Sequence, residues 1–136
     1  MLQRFLPPIL LASVALAGVA FTADALVVTD EERVAQIGDA LVSDGPDAVL
    51  ATLPSEDDAA LRVQGRRVRG DAADAVLRAL RPLEGPDRDR VQQSVDVRGD
   101  DATLALRVRA DGALHDVTVG LARLGQGWVL EDLTVR

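Results

Sequence analysis

Cysteine, lysine and tyrosine are all missing from this 136-residue chain, and each absence removes a class of chemistry. Without cysteine there is no thiol catalysis, no disulfide, no thiolate metal site and no lipid-modified N-terminal cysteine. Without lysine there is no Schiff-base chemistry, and all fifteen basic residues are arginine. Aromatic side chains make up 2% of the chain; Phe5 and Phe21 fall in the first hydrophobic run, which leaves Trp128 alone beyond it. A domain so poor in rings has little to stack on bases or sugars, which argues against single-stranded nucleic acid. The net charge of −7 disfavours duplex DNA and anionic lipid as partners.

What remains is aliphatic. The chain is 48% apolar, which is too hydrophobic for disorder and enough for one core built from Leu, Val, Ala and Ile. Arg4 precedes a run from Phe5 to Phe21 that only Pro7, Pro8, Ser13 and Gly18 interrupt, and Ala23-Asp24-Ala25 follows as a small-x-small cleavage site. Residues 1–25 therefore read as a secretory signal peptide. The same stretch extended to Val28 is long enough to be an uncleaved membrane anchor, with Asp24 at the interface. Either way, residues 26–136 are expected as one domain of bacterial type outside the cytoplasm: periplasmic, secreted, or anchored and facing outward.

Local patterns order that domain. Thr29 and Glu32 have capping-box spacing, and Val34, Ile37 and Leu41 give the helix that follows one apolar face. Gly45 ends it, and Pro46 opens a second helix over Asp47–Leu53. After Pro54 and an acidic loop at Glu56-Asp57-Asp58, alternation over Leu61–Gln64 and Arg67–Arg69 with Gly65 between them predicts a hairpin on an exposed edge. Asp71 is placed to cap a third helix with Ala73, Val76, Leu77 and Leu80 inward, stopped by Pro82. A linker over Leu83–Asp89 leads to four strands, Val91–Arg98, Thr103–Arg109, Ala113–Arg123 and Trp128–Arg136, with Asp111-Gly112 as a tight turn. In the last strand Trp128 and Leu130 lie on one parity and Leu133 and Val135 on the other. A bulge near Glu131-Asp132 would turn all four inward.

The strand-Gly-helix junction VRGDAADAVLRAL and the ending GWVLEDLTVR make this chain resemble the nuclear transport factor 2-like superfamily from Thr29 to Arg136. That resemblance implies an α+β, cystatin-like cone of the kind seen in polyketide cyclases and ketosteroid isomerases. Its parts would be N-terminal helices, a short hairpin, a third helix and a four-stranded curved antiparallel sheet. It does not select a function, because the superfamily hosts isomerases, cyclases, hydratases, transport adaptors and non-enzymatic domains.

Enzymes of that superfamily commonly use Asp, His and Tyr inside the cone. This chain has no Tyr, and its candidates reduce to His115, the only histidine, and Asp132 at the expected bulge. His115 reads equally as a half-exposed residue at a strand end. Ser43, Ser55 and Ser94 lack the context of a nucleophile, and Asp57-Asp58 and Asp100-Asp101 lack calcium-loop spacing, so no metal or cofactor is expected. Trp128, Leu130, Gln93, Ile37 and Leu41 are the expected lining of any apolar pocket, with Trp128 either its wall or the plug that fills it. Arg62, Arg67 and Arg69 share one face of the hairpin, where they would grip an anion or acidic partner, or guard an edge strand against aggregation.

The expectation is a non-catalytic exported domain that binds an apolar small molecule or a protein partner. The alternatives are an isomerase-, cyclase- or dehydratase-like enzyme using His115 and Asp132, and a structural accessory domain at the membrane surface. The outer sheet face is polar at Gln92, Ser94, Asp96, Arg98, Arg107 and Arg109, which predicts a monomer or weak homodimer.

Overall fold

A computed structural model of the chain describes residues 28–54, 60–125 and 127–136. The signal or anchor segment and the acidic loop Glu56-Asp57-Asp58 lie outside the described residues. Among the described residues no helix is long and apolar enough to cross a membrane.

Helix α1 spans Asp30–Asp44 and starts in the expected capping box: the Glu32 amide donates to Thr29 Oγ1 at 3.2 Å, and the Thr29 amide to Glu32 Oε2 at 3.4 Å. Asp30, Glu31 and Glu32 place negative charge on the positive end of its dipole. Gly45, at φ 93°, ends it by donating its amide to Leu41 O at 3.0 Å. Helix α2 is shorter than expected, Asp47–Leu50, with single turns carrying the chain on to Leu53. Strands β1 (Arg62–Val63) and β2 (Arg66–Arg67) form the hairpin, and its turn is the pair Gln64-Gly65, at φ 55° and 77°. Helix α3, Ala72–Ala79, is capped by Asp71 Oδ1, which accepts the amides of Ala73 at 3.0 Å and Asp74 at 3.3 Å. Its inward face is Val76, Ala79 and Leu80 supported by Ala72 and Ala75, with Leu77 left half-exposed. A 3₁₀ turn at Arg81–Leu83 then buries Leu83.

The meander follows as β3 (Arg88–Arg98), β4 (Asp101–Ala110), β5 (Ala113–Leu124) and β6 (Gly127–Val135). The sheet is open and curved, in the order β2-β1-β6-β5-β4-β3. It has six strands instead of four and is mixed, because β1 pairs parallel to β6. Alternation in the hairpin encodes which side is buried. It does not encode which sheet edge the hairpin joins, or in which direction.

Two bulges set the faces of this sheet. In β6, Leu130 lies opposite Leu121 and Asp132 opposite Gly120, so Glu131 is the extra residue. Trp128, Leu130, Leu133 and Val135 consequently all face the core, as the mixed parity of that strand required. The displaced strand also sends the Leu130 amide to Thr52 O, at 2.6 Å, which ties the exit of α2 to the sheet. In β3 the register shifts between Arg90 and Gln92. That shift puts Arg88 and Arg90 on the same side as Gln93, Val95 and Val97, and leaves Val91 half-exposed.

Those two arginines, with Arg123 of β5, fasten α1 across the sheet. Arg123 reaches Asp30 in the first turn at 2.6 Å, Arg90 pairs with Asp39 midway, and Arg88 meets the last turn. The Arg88 guanidinium donates to Val42 O at 3.0 Å, Ser43 O at 3.4 Å, Leu83 O at 3.2 Å and also Gly85 O. α1 has no basic residue in its own last turn, so β3 supplies the cation that its carbonyls lack. Between the fastenings, buried Gly38 allows close approach: a Cβ there would sit 2.9 Å from Gln93 Oε1 and 3.3 Å from a Leu106 methyl. Beneath lies an aliphatic core in which Leu41, Leu61, Leu80, Leu83, Leu104 and Leu121 are all essentially inaccessible.

Two outcomes follow for stability. Arg88→Met is expected to cost about 2–4 kcal/mol, since it strands several carbonyls that bond a charged donor. Arg88→Lys should recover only part of that, because an ammonium cannot copy the planar fork. Denaturant unfolding followed by Trp128 emission measures both. The Arg123 hydrogen bond holds the Asp30 carboxyl below its ordinary range, so its stabilising contribution is complete above the unfolded pKa, about 3.9. That contribution fades as pH falls through the lower folded value. Asp30→Asn should therefore be less stable than wild type at neutral pH and converge on it in acid, as unfolding midpoints across pH 2 to 7 would register.

Candidate functional site

His115 and Asp132 are not brought together. His115 is half-buried near the start of β5, opposite Val108, on the parity of Val117 and Val119. Asp132 is exposed and registered against Gly120, five residues further along β5 and on the other parity. The two side chains occupy opposite faces of the sheet, displaced on the order of 17 Å along the strand. The bulge turns Leu133 inward by placing its extra residue at Glu131, and this leaves Asp132 on the solvent side. No acid–base pair results. Among the described residues there is also no group of three or more His, Asp or Glu that would hold a metal.

The residues expected to line a pocket are packed into the interior or bonded to neighbours, and Leu130 also borders a surface cleft. Leu41 and Leu130 are 1% and 2% exposed and belong to the continuous core, and Ile37 packs against it. Gln93 is half-buried and its Oε1 accepts from Arg90 at 2.9 Å, beside the closest approach of α1. Trp128 is 9% exposed and carries the Arg123 guanidinium 4.7 Å above its ring. Arg123 also bonds Asp30, Asp100 at 3.4 Å and Gly99 O at 3.5 Å, so the ring is covered by a group held from several sides.

Three of the concavities among the described residues lie beside this packing. One, of about 630 Å³, is an open groove between the hairpin and α3, bordered by Arg66, Arg67, Arg69 and Arg78. A second, of about 230 Å³, is a mostly apolar cleft among Pro54, Leu61, Ala122, Leu124, Val129 and Leu130. A third of similar volume, 230 Å³, is on the outer sheet face beside the Arg107–Asp116 ion pair. That pair spans 2.8 Å, and the hydrogen bond from Arg107 holds Asp116 below the ordinary carboxylate range.

The arginine cluster is reshaped by the true position of the turn. Arg62 and Arg67 are directly opposed across the hairpin, and Arg66 opposes Val63. The groove takes Arg66, Arg67 and Arg69, whereas Arg62 sits away from it beside Asp132 of β6. The turn placed at Gly65 alone hid Arg66, since that assignment left it outside both strands. None of Arg62, Arg66, Arg67 and Arg69 forms an ion pair among the described residues.

Gln64 holds this hairpin in place. Its backbone amide donates to Leu133 O at 2.8 Å. Its side-chain Nε2 donates to Val135 O and its Oε1 accepts the Val135 amide, both at 2.9 Å. The carboxamide thus acts as one more peptide unit and extends a parallel ladder that is only two residues long in the backbone. A glutamine at positive φ gives no such signal in sequence.

With this geometry in hand, likeness to known structures is informative. A proposed ketosteroid isomerase from Shewanella frigidimarina superposes with a TM-score of 0.58 at 17% identity, covering 79% of this chain and 95% of that one. A cystatin-like fold protein from Burkholderia xenovorans gives 0.54 at 22% identity, over 78% and 92%. A nuclear transport factor 2-like protein of unknown function from Shewanella baltica gives 0.54 at 7% identity, over 81% and 97%. No family model matches the sequence, and no curated protein matches it. The chain therefore has the nuclear transport factor 2-like fold, and at these identities the likeness is one of fold alone.

Gln64→Ala should lower stability by about 1–2 kcal/mol through its two lost hydrogen bonds. Gln64→Gly removes the backbone strain but not that loss. In both variants the Val135 amide should lose hydrogen-exchange protection, while amides in the β4–β5 ladder keep theirs.

Proposed function

We propose that this chain is a non-catalytic, exported binding domain whose ligand is a protein partner. The observation that carries the reading is where the unsatisfied chemistry lies. The described core is packed with the chain's own Leu and Val side chains, Arg90 and Arg123 are already bonded to α1, and Gln93 is bonded to Arg90. Outside it, four arginines of an acidic protein stand on one hairpin without ion-pair partners among the described residues. Guanidinium groups in that state favour carboxylate-bearing partners. Residues 1–25 would deliver the domain out of the cytoplasm, either cleaved at Ala25 or retained as a tether. The polar outer face, with its Arg107–Asp116 pair, goes with a monomer or weak homodimer.

A second reading rests on the apolar cleft. Leu124 is 61% exposed there, beside Val129 and Leu130, so a small apolar molecule would gain buried area by entering. The isomerase in the name of one neighbour would point instead to proton transfer, but Asp132 lies on the opposite face of the sheet from His115.

Native mass spectrometry of the full chain released from mild detergent separates these roles. A bare chain mass is expected, with or without its first 25 residues. A stoichiometric apolar adduct would transfer the assignment to the cleft. Measurable α-proton exchange on a panel of small ketones, lost in His115→Ala, would restore an enzyme.

A further inference from the structure

We propose that the free edge of β2 takes up an extended acidic segment of a protein partner as an added strand, with Arg66, Arg67 and Arg69 binding its carboxylates. This deepens the partner-binding reading above and rests on it.

Among the described residues no strand pairs with the outer side of β2. β2 is the terminal strand of the sheet, and its inner side pairs with β1. The Val68 amide donates inward to Leu61 O at 2.9 Å. Because successive peptide groups of a strand point to opposite edges, the backbone groups of Arg67 and Arg69 face away from the sheet. A segment laid there would find donors and acceptors at strand spacing.

Charge names the kind of segment. Arg62 and Arg67 lie directly opposite each other, a like-charge pair that is unfavourable in isolation and that a carboxylate would relieve. The groove does contain two carboxylates, but both are committed. Asp71 caps α3, and Asp74 pairs with Arg78 at 2.7 Å. Three arginines on its border are left with no ion pair among the described residues. The two strand parities divide them. Arg66 shares the side of buried Val63, toward α3, and Arg67 shares the side of exposed Arg62. All three nevertheless border the one groove, where a single small anion would meet only part of their charge. An added strand alternates in the same way, so its acidic residues meet arginine on both sides. The groove, at about 630 Å³, leaves room for such side chains beside α3. If the arginines only protect the edge, they should repel added strands generally and show no preference for acidic ones.

The test is fluorescence anisotropy on the full chain in mild detergent, with a fluorescein-labelled peptide alternating valine and glutamate. Saturable binding is expected, weakening about tenfold or more between low and high salt. The triple variant Arg66→Gln, Arg67→Gln, Arg69→Gln should bind at least about tenfold more weakly while Trp128 emission and the thermal midpoint stay at wild-type values, since none of the three is in the core. The same peptide N-methylated at alternate residues keeps its charge but cannot join a ladder, and it should also lose about tenfold. Equal binding of the N-methylated peptide, equal binding of a valine–lysine counterpart, an unaffected triple variant, or no saturable binding would each overturn the proposal. The native mass spectrum distinguishes the two levels. An apolar adduct removes the partner-binding role itself, whereas a bare chain that ignores the peptide removes only the β2 edge.

Discussion

Everything in this fold depends on how α1 is held to the sheet. The helix crosses β3 and β4 and is fastened by arginine at its first turn, its middle and its last turn. Only two of these fastenings are ion pairs. At the third, the Arg88 charge meets backbone carbonyls from the end of α1 and the turn after α3, so one planar cation joins two helical elements and a strand. A guanidinium with five donors in fixed directions suits that position, and the chain, having no lysine, uses arginine there. The fastenings also compensate for scarce rings. Trp128 is the one aromatic side chain among the described residues, and Arg123 lies over its ring while anchoring the start of α1. Polar bonds at the rim and aliphatic packing beneath thus share the task of closing the cone.

The sequence was legible wherever one local rule had one outcome. Thr29 with Glu32, Asp71 before Ala73, and Asp111-Gly112 each specify a cap or turn, and each forms as expected. The Glu131 bulge was legible too, because four large apolar residues on two parities cannot all be buried without one. The β3 bulge was not. It brings inward two arginines, and nothing in their hydrophobicity announces that their heads will find Asp39 and the carbonyls of α1. Docking of the hairpin was hidden for a related reason: β1 pairs with a strand some seventy residues away, and one side-chain carboxamide extends that short ladder. The site followed the same division. Arg67 and Arg69 were visible as an arginine face, but Arg66 joined them only once Gln64 was seen to occupy the turn.

The structural neighbours share the fold with this chain and carry no role over to it. Names among the structural neighbours include an isomerase, yet at 17% identity only the shared backbone is in question. The same cone can be a reaction vessel or a solid support, and side chains decide between them. Here Leu41 and Leu130, two of the residues expected to line a pocket, belong to the buried core, with Leu130 also bordering the apolar cleft, and His115 and Asp132 lie on opposite faces. Arg88, Arg90 and Arg123 are bonded to α1.

The register of β6 also gives the molecule a direction. Its Trp128 end lies by the start of α1, together with the β3–β4 turn, through Arg123. Its Val135 end lies by the Gln64-Gly65 turn. The length of β6, roughly 25 Å, separates the two. The first turn of α1 and the Gln64-Gly65 turn therefore mark opposite ends of one strand, and each is tied to it by side-chain bonds from a single residue, Arg123 at one end and Gln64 at the other.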